Sequence, residues 1–231
     1  MLKKISEFLL RHRHKIAIFL LLAFSSITCV MLVNARVVYS DSSRYTFLVW
    51  NLFLAWIPLI MAYIAYAFSL KRILLYIFVP FFSLVWLAFF PNAPYIMTDF
   101  QHLANSSSDA PLWFDVILLI WFSWTGLLLG IVSLYFMQEI VRKNFGKLLG
   151  WVFTFSVSLL SSIGIYLGRF LRWNSWDILN NPIQILRESW HLLRDLNKGA
   201  VGFTALFTAF FLFVYLTLYA FGHLQLEEKN D

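Results

Sequence analysis

Six blocks of apolar residues, each about 20 residues long, constrain the fold of this chain more than any other feature. They cover approximately residues 16–33, 46–68, 73–90, 113–136, 148–168 and 201–222. Since the hydrocarbon core of a bilayer is about 30 Å thick, an α-helix of about 20 apolar residues crosses it. The chain is 61% apolar and 13% charged, whereas soluble domains are about 45–50% apolar and 25% charged. The pattern predicts an all-α bundle of about six transmembrane helices, forming a single integral membrane domain over residues 1–231.

The charge distribution predicts how these helices are oriented. A basic stretch, residues 1–15, precedes the first block, and a short polar tail, residues 223–231, follows the last. With the N-terminus in the cytoplasm, 11 of the 18 lysines and arginines lie on the cytoplasmic side, as the positive-inside rule favours. We therefore expect residues 16–222 to form the membrane region of a plasma-membrane protein with both termini in the cytoplasm.

The first block has an alternative interpretation as a cleaved signal peptide, because basic residues precede it. Its apolar run is longer than the roughly 7 to 15 residues of a signal peptide, and Val33-Asn34-Ala35 is only a weak cleavage-like site. Because five further blocks follow, we expect an uncleaved first transmembrane helix.

Two connections on the predicted outer side are too long to be simple turns. In the first, about residues 91–112, Pro91 breaks span three and Pro94 can begin a short outer helix. In the second, about residues 169–200, Asn181 can cap a helix whose apolar residues recur at helical spacing. The second connection is therefore predicted to hold an amphipathic helix that lies in the membrane interface.

Polar side chains gather at the outer ends of spans three, four and five, whereas the middles of the spans hold almost no ionisable groups. On the short outer helix, Tyr95, Asp99 and His102 occupy positions i, i+4 and i+7 and so share a face. A carboxylate and an imidazole on one face can bind a metal ion or form an acid–base pair. The alternative is a structural hydrogen bond between Asp99 and His102 at a helix end.

Asp115, in the first turn of span four, can be a functional carboxylate or can interact with the helix dipole and its exposed amides. A zinc-type catalytic site would need a third ligand, which Asp115 or Asp177 supplies only if the fold brings it to the other two. Asp99, His102 and Asp115 are thus the candidate catalytic residues. The sequence identifies neither a metal nor a cofactor.

A second polar group follows the last apolar turn of span five. Arg169 and Arg172 lie there, and arginine gives planar, bidentate recognition of phosphate and carboxylate. The alternative is interfacial anchoring, in which arginine side chains reach the headgroups and tryptophan lies in the aromatic belt. The candidate ligand-binding residues are Asn92, Tyr95, Arg169, Arg172, Trp173, Asn174 and Asp177.

Three strings in the chain resemble the bacterial membrane family known as domain of unknown function 1361. They are FFPNAPY at 89–95 followed by Thr98-Asp99, GLLLG at 126–130 and GIYLGRFLRWNSWD at 164–177. The resemblance extends from about span two to span six. It implies a bacterial multi-pass membrane protein, and it brings no activity or catalytic residue with it.

Three functions are compatible with these residues. The leading hypothesis is an extracytoplasmic site that binds an anionic lipid headgroup or a lipid-linked phosphate, and that can act as a hydrolase or transferase. A small transporter or flippase is the second, although coupled transporters usually place ionisable groups near the bilayer midplane. The third is a non-enzymatic scaffold or assembly factor, which uses the glycine faces of spans four and five and the interfacial helix to hold membrane partners.

The expected partners follow from the leading hypothesis. They are the lipid bilayer and an anionic or lipid-linked phosphate ligand. Nucleic acid is not expected, because the basic residues do not form a solvated domain. The sequence does not predict the oligomeric state.

Overall fold

The computed structural model of the chain describes residues 2–105, 109–173, 180, 183–184, 187 and 198–223. Within those ranges every regular element is a helix. The helices are α1 (Leu2–Ser40), α2 (Phe47–Ser69), α3 (Arg72–Phe89), α4 (Asn92–Tyr95), a 3₁₀ helix (Ile96–Asn105), α5 (Leu112–Phe145), α6 (Lys147–Phe170) and α7 (Lys198–Gly222).

Six helices of this set are long and apolar enough to cross a membrane. They begin close to the starts of the six predicted spans, and the third continues through α4 into the 3₁₀ helix. The prediction of an all-α bundle of six transmembrane helices, with a short helix after span three, is confirmed. The protein is a multi-pass membrane protein.

Two helices are much longer than the apolar blocks that predicted them. The first block ends near residue 33, yet α1 continues to Ser40; the fourth ends near 136, yet α5 continues to Phe145. At a rise of 1.5 Å per residue, the 34 residues of α5 span about 50 Å. An apolar block measures the thickness of the hydrocarbon, and a helix can continue beyond it wherever buried polar partners stabilise its last turns.

Helix α5 is the centre of the bundle. It packs against α1, α2, α4, the 3₁₀ helix and α6, whereas α3 packs chiefly on α2 and α7 chiefly on α6. Many of its side chains are buried, including polar ones such as Ser133, whose hydroxyl accepts a hydrogen bond from the Trp86 indole at 3.3 Å. A stripe with Ile117, Ile120 and Trp124 is exposed, so α5 is a central helix that keeps one lipid-facing side in its first half.

The glycine pair of α5 lies against the α4 segment. A Cβ atom built on Gly126 would lie 2.6 Å from the Ala93 carbonyl oxygen and 2.9 Å from the Ile96 side chain. One built on Gly130 would lie 3.3 Å from the Ala93 Cβ and 3.4 Å from the Pro94 ring. The absence of side chains at these two positions is therefore what lets the α4 backbone approach α5.

The glycine pair of α6 lies on the other side of the same segment. A Cβ on Gly164 would be 3.1 Å from the Pro91 ring, and a Cβ on Gly168 would be 3.3 Å from the Tyr95 ring. All four glycines thus pack against residues 91–96. Both glycine pairs are occupied within the chain, so these glycines are not free faces for the partner helices of the scaffold hypothesis.

The two ends of the bundle differ in what they hold. Lys15 in α1 and His223 directly after α7 line one cavity, so these helices share an end, which we call the near end. The far end is where α3 and α6 finish and α5 begins, and it holds Asp99 and Asp115. Of the predicted interfacial helix between spans five and six, only residues 180, 183–184 and 187 are described; the rest lies outside the described residues.

Candidate functional site

The candidate site begins where span three is broken. Helix α3 ends at Phe89, α4 takes a single turn, and the chain continues from Ile96 as a 3₁₀ helix. The sequence predicted an α-helix here, which would place Asp99 and His102 on one face with Tyr95. In a 3₁₀ helix residues three apart are eclipsed, so Asp99 and His102 still face the same way, and the Asp99 Oδ1 lies 3.9 Å from the His102 Nε2.

Asp99 is fully buried and is held by side chains from two other helices. Its Oδ1 accepts a hydrogen bond from the Arg169 guanidinium of α6, and its Oδ2 accepts one from the Asn51 amide of α2 at 3.1 Å. The Arg169 Nε also donates to the Thr98 hydroxyl at 2.7 Å. We call Asn51, Thr98, Asp99 and Arg169, with Tyr95 beside them, the Asp99 cluster.

The Tyr95 ring completes the environment of Arg169. The guanidinium carbon lies 4.1 Å from the ring centroid, which is a cation–π contact. The Arg169 side chain is only 7% exposed. Since a buried charge is stabilised only when it is paired and hydrogen-bonded, the internal carboxylate of Asp99 accounts for the position of Arg169; a role for this arginine in binding an external anion stays a prediction.

His102 forms the exposed edge of the Asp99 cluster. Its side chain is 37% exposed, and its ring packs on Phe47 with the centroids 4.9 Å apart. Its carbonyl oxygen accepts a hydrogen bond from the Arg44 guanidinium at 3.0 Å. An imidazole that touches solvent on one side and a buried carboxylate on the other has the arrangement of an acid–base group.

Arg172 lies just beyond the end of α6 and is exposed. Its φ of 61° is in the left-handed region, which glycine usually occupies at helix ends. This conformation turns the chain so that the Trp173 N–H bonds the Leu167 carbonyl at 3.3 Å. A non-glycine residue in this region is disfavoured by about 1–2 kcal/mol, and such strained positions are frequent at functional sites.

The remaining ligand-binding candidates have separate positions. Asn92 is half-buried and donates to the Phe89 carbonyl at 3.0 Å, which completes the end of α3. Trp173 is half-buried at the end of α6. Asn174 and Asp177 lie outside the described residues.

Asp115 belongs to a different cluster. Its Oδ1 accepts a hydrogen bond from the Arg36 Nε at 2.7 Å, and each of the two side chains is 1% exposed. Arg36 also donates to the Ser40 hydroxyl and lies 5.8 Å from the Tyr45 ring centroid. Burial, with the Asp115 carboxylate nearby, raises the pKa of the Tyr45 hydroxyl. Arg36 is one of the seven lysines and arginines that the charge distribution places on the outer side, and no sequence pattern joined it to Asp115.

The two clusters do not combine into a metal site. Among the described residues, no three histidine, cysteine, aspartate or glutamate side chains lie close enough together to hold a metal ion. Asp115 therefore does not provide the third ligand to Asp99 and His102 that a zinc-type site requires. The other candidate, Asp177, lies outside the part of the chain that the structure describes.

A family model described as a protein of unknown function (DUF1361) matches residues 50–214. The chain belongs to the DUF1361 family. The matched region of this DUF1361 protein contains every member of the Asp99 cluster and also Asp115, whereas Arg36 lies before it. No curated protein and no solved structure matches the chain.

Proposed function

We propose that this DUF1361 protein binds an anionic lipid headgroup or a lipid-linked phosphate at the far end, between His102 and Arg172. The observation that carries the proposal is the solvent-facing His102 imidazole on the buried Asp99–Arg169 pair. Arg172 follows Arg169 by three residues and is exposed. Both residues belong to the far end of the bundle, and an arginine guanidinium is suited to planar recognition of a phosphate group.

The internal pairing of the two buried arginines supports Arg172 as the anion-binding residue. Arg36 is neutralised by Asp115 and Arg169 by Asp99. Arg172 makes no ion pair with any residue that the structure describes. Its exposed guanidinium is therefore accessible to an incoming phosphate.

The proposal extends to hydrolysis or transfer at the bound phosphate. His102 is the acid–base group in this version, and the Asp99 carboxylate is the positioning residue behind it. The 3.9 Å separation of Nε2 and Oδ1 exceeds a hydrogen bond. Acid–base pairs in unliganded sites are often long and shorten when substrate binds.

Arg172→Ala is expected to release the ligand. A charge-assisted hydrogen bond contributes about 1.5–3 kcal/mol, and 1.4 kcal/mol corresponds to a factor of ten, so the affinity should fall at least about tenfold. Native mass spectrometry of the gently solubilised wild type and variant would measure the copurified anionic species. Lys147→Ala, which removes an exposed cation at the near end, is the matched control. Equal occupancy in Arg172→Ala and wild type would contradict the proposal.

His102→Ala separates binding from catalysis. If His102 is the acid–base group, the variant should keep the copurified species while phosphate release from it drops by about two orders of magnitude or more. Thermal stability should change little, because the imidazole is partly exposed and makes no hydrogen bond of ordinary length to Asp99. Wild-type turnover in the variant would eliminate the catalytic version and leave the binding version intact.

We also propose that the far end faces the extracytoplasmic side and that both termini are cytoplasmic. Cys29 is the only cysteine and is buried, so a Cys29→Ser background allows single-cysteine labelling. A membrane-impermeant maleimide should label Asp109→Cys in intact cells and Lys147→Cys only after permeabilisation. The reverse pattern would invert the orientation.

A small transporter or flippase is the second candidate, and the broken third span favours it. Transporters bind substrates where discontinuous helices meet inside the membrane, and the Asp99–Arg169 pair lies beside such a break. However, the 18 residues of α3 span about 27 Å before the break, so the pair lies near one surface of a 30 Å core and not at its middle. Absence of flux of the copurified species in proteoliposomes would reject this candidate.

A further inference from the structure

A cavity of about 300 Å³ lies at the near end, between α1, α5 and α7. Its walls are apolar and aromatic side chains of the three helices, among them Ile18, Leu128, Val132, Leu218 and Tyr219. The cavity is distant from the Asp99 cluster, which occupies the opposite end of the bundle. It is therefore independent of the proposed far-end site.

The cavity opens within the membrane-spanning part of the chain. Its wall residues belong to three of the six candidate spans, and Ile18 beside it is 42% exposed on the outside of the bundle. A half-open apolar cavity at this position is continuous with the hydrocarbon of the bilayer. Lipid chains are the apolar molecules available to fill it.

Lys15 supplies a positive charge to the lining of the cavity. Its ammonium group lies 4.8 Å from the Tyr66 ring centroid, and that of Lys143 lies 5.1 Å from the same ring. Glu139 neutralises Lys143 at 3.3 Å and Arg142 at 2.8 Å. Lys15 makes no ion pair with any described residue, so its charge is available to an anion.

His223, which also lines the cavity, is already engaged by α7. Its ring stacks on Tyr219 with the centroids 4.2 Å apart, and its Nδ1 is 2.8 Å from the Tyr219 carbonyl oxygen. It therefore forms part of the wall. Among the described side chains that line the cavity, Lys15 is the one that offers a cationic contact to an anion.

We propose that this cavity holds one acyl chain of an anionic bilayer phospholipid whose phosphate contacts Lys15. The volume is at the lower limit of small-ligand pockets, which fits part of one chain and excludes a whole lipid. Lys15 begins the first candidate membrane span, and a lysine at the end of a span extends to headgroup level, where it attracts anionic lipids. The apolar walls favour a lipid acyl chain, and the Lys15 ammonium group favours a negatively charged headgroup.

The proposal is tested by photolabelling the full-length protein in nanodiscs. The probes are phosphatidylglycerol and phosphatidylcholine, each with a diazirine near the end of one acyl chain, and the adducts are mapped by peptide mass spectrometry. In wild type the phosphatidylglycerol adducts should concentrate on the cavity walls. Lys15→Gln should reduce the preference for phosphatidylglycerol over phosphatidylcholine at least about fivefold, whereas Lys147→Gln, which removes a near-end lysine outside the cavity, should not.

Leu128→Trp provides a second measurement by filling the cavity. Adducts on its walls should fall at least about fivefold, since an apolar chain cannot enter occupied volume. Leu84→Trp, the same change at an exposed lipid-facing position of α3, should leave them unchanged. If Leu128→Trp does not purify as one species, Val132→Phe replaces it. Adducts spread evenly over all lipid-facing helices, or wall adducts that persist in the filled variant, would overturn the proposal.

Discussion

Gly126→Leu is expected to abolish the folded protein, and Gly126→Ala to destabilise it by about 1–3 kcal/mol. The reason is the close approach of α4, because even a single Cβ would lie 2.6 Å from the Ala93 carbonyl oxygen and 2.9 Å from the Ile96 side chain. The nearest atom belongs to backbone, which cannot rotate away as a flexible side chain can. The effect opposes helix propensity, since alanine is favoured over glycine inside a helix by about 0.5–1 kcal/mol.

Gly202 in α7 is the matched control for this prediction. A Cβ there would meet nothing within 4 Å, so Gly202→Ala and Gly202→Leu should be neutral or slightly stabilising. Thermal stability measured by fluorescence-detected size exclusion compares the four variants. If Gly126→Leu proves as stable as Gly202→Leu, α4 does not lie against α5 in the way described.

Arg36→Met and Asp115→Leu are each expected to destabilise the protein by about 3–5 kcal/mol, because each leaves an unpaired buried charge. The double variant Arg36→Met/Asp115→Leu should recover most of that loss, since two apolar side chains of similar volume can replace a buried ion pair at little cost. Denaturation midpoints of the two single variants and the double variant in the same detergent provide the measurement.

The Arg142–Glu139 pair is the control for this cycle. Arg142 is 38% exposed, and an exposed ion pair contributes less than about 1 kcal/mol, so Arg142→Met should change stability little.

The double variant Arg36→Met/Asp115→Leu also separates the two interpretations of Asp115. If it is stable and keeps the anionic ligand, Asp115 is structural; if it is stable but loses the ligand, Asp115 belongs to the functional site. A double variant no more stable than the single ones would contradict the pair.

The membrane architecture was predictable from the sequence because hydropathy is a local property. A run of about 20 apolar residues demands a helix that satisfies its own backbone hydrogen bonds, whatever the rest of the chain does. The helix boundaries were less predictable, as α1 and α5 show. The last turns of α1 hold Arg36, which pairs with Asp115, 79 positions later. The last turns of α5 hold Gln138, whose side-chain oxygen accepts a hydrogen bond from the Tyr215 hydroxyl, 77 positions later.

The candidate site was predictable as a region and not as a set of contacts. The break at Pro91 and the spacing of Asp99 and His102 placed a carboxylate and an imidazole together, and the structure does bring them within 3.9 Å. Asn51 was visible as a lone amide in an apolar block, but nothing in the sequence assigned it to Asp99. Its partner lies 48 positions away, on a helix whose rotation is set by packing.

The six apolar blocks by themselves determined that this chain crosses a membrane about six times and carries its unusual polar residues at one end. Only the tertiary structure decided which charges neutralise each other. Arg169 pairs with Asp99, 70 positions earlier, and Arg36 pairs with Asp115. It also decided that the glycines of α5 and α6 pack against residues 91–96 of the same chain. Hydropathy acts residue by residue along the chain, whereas ion pairing and close packing depend on distances between helices that no local pattern records.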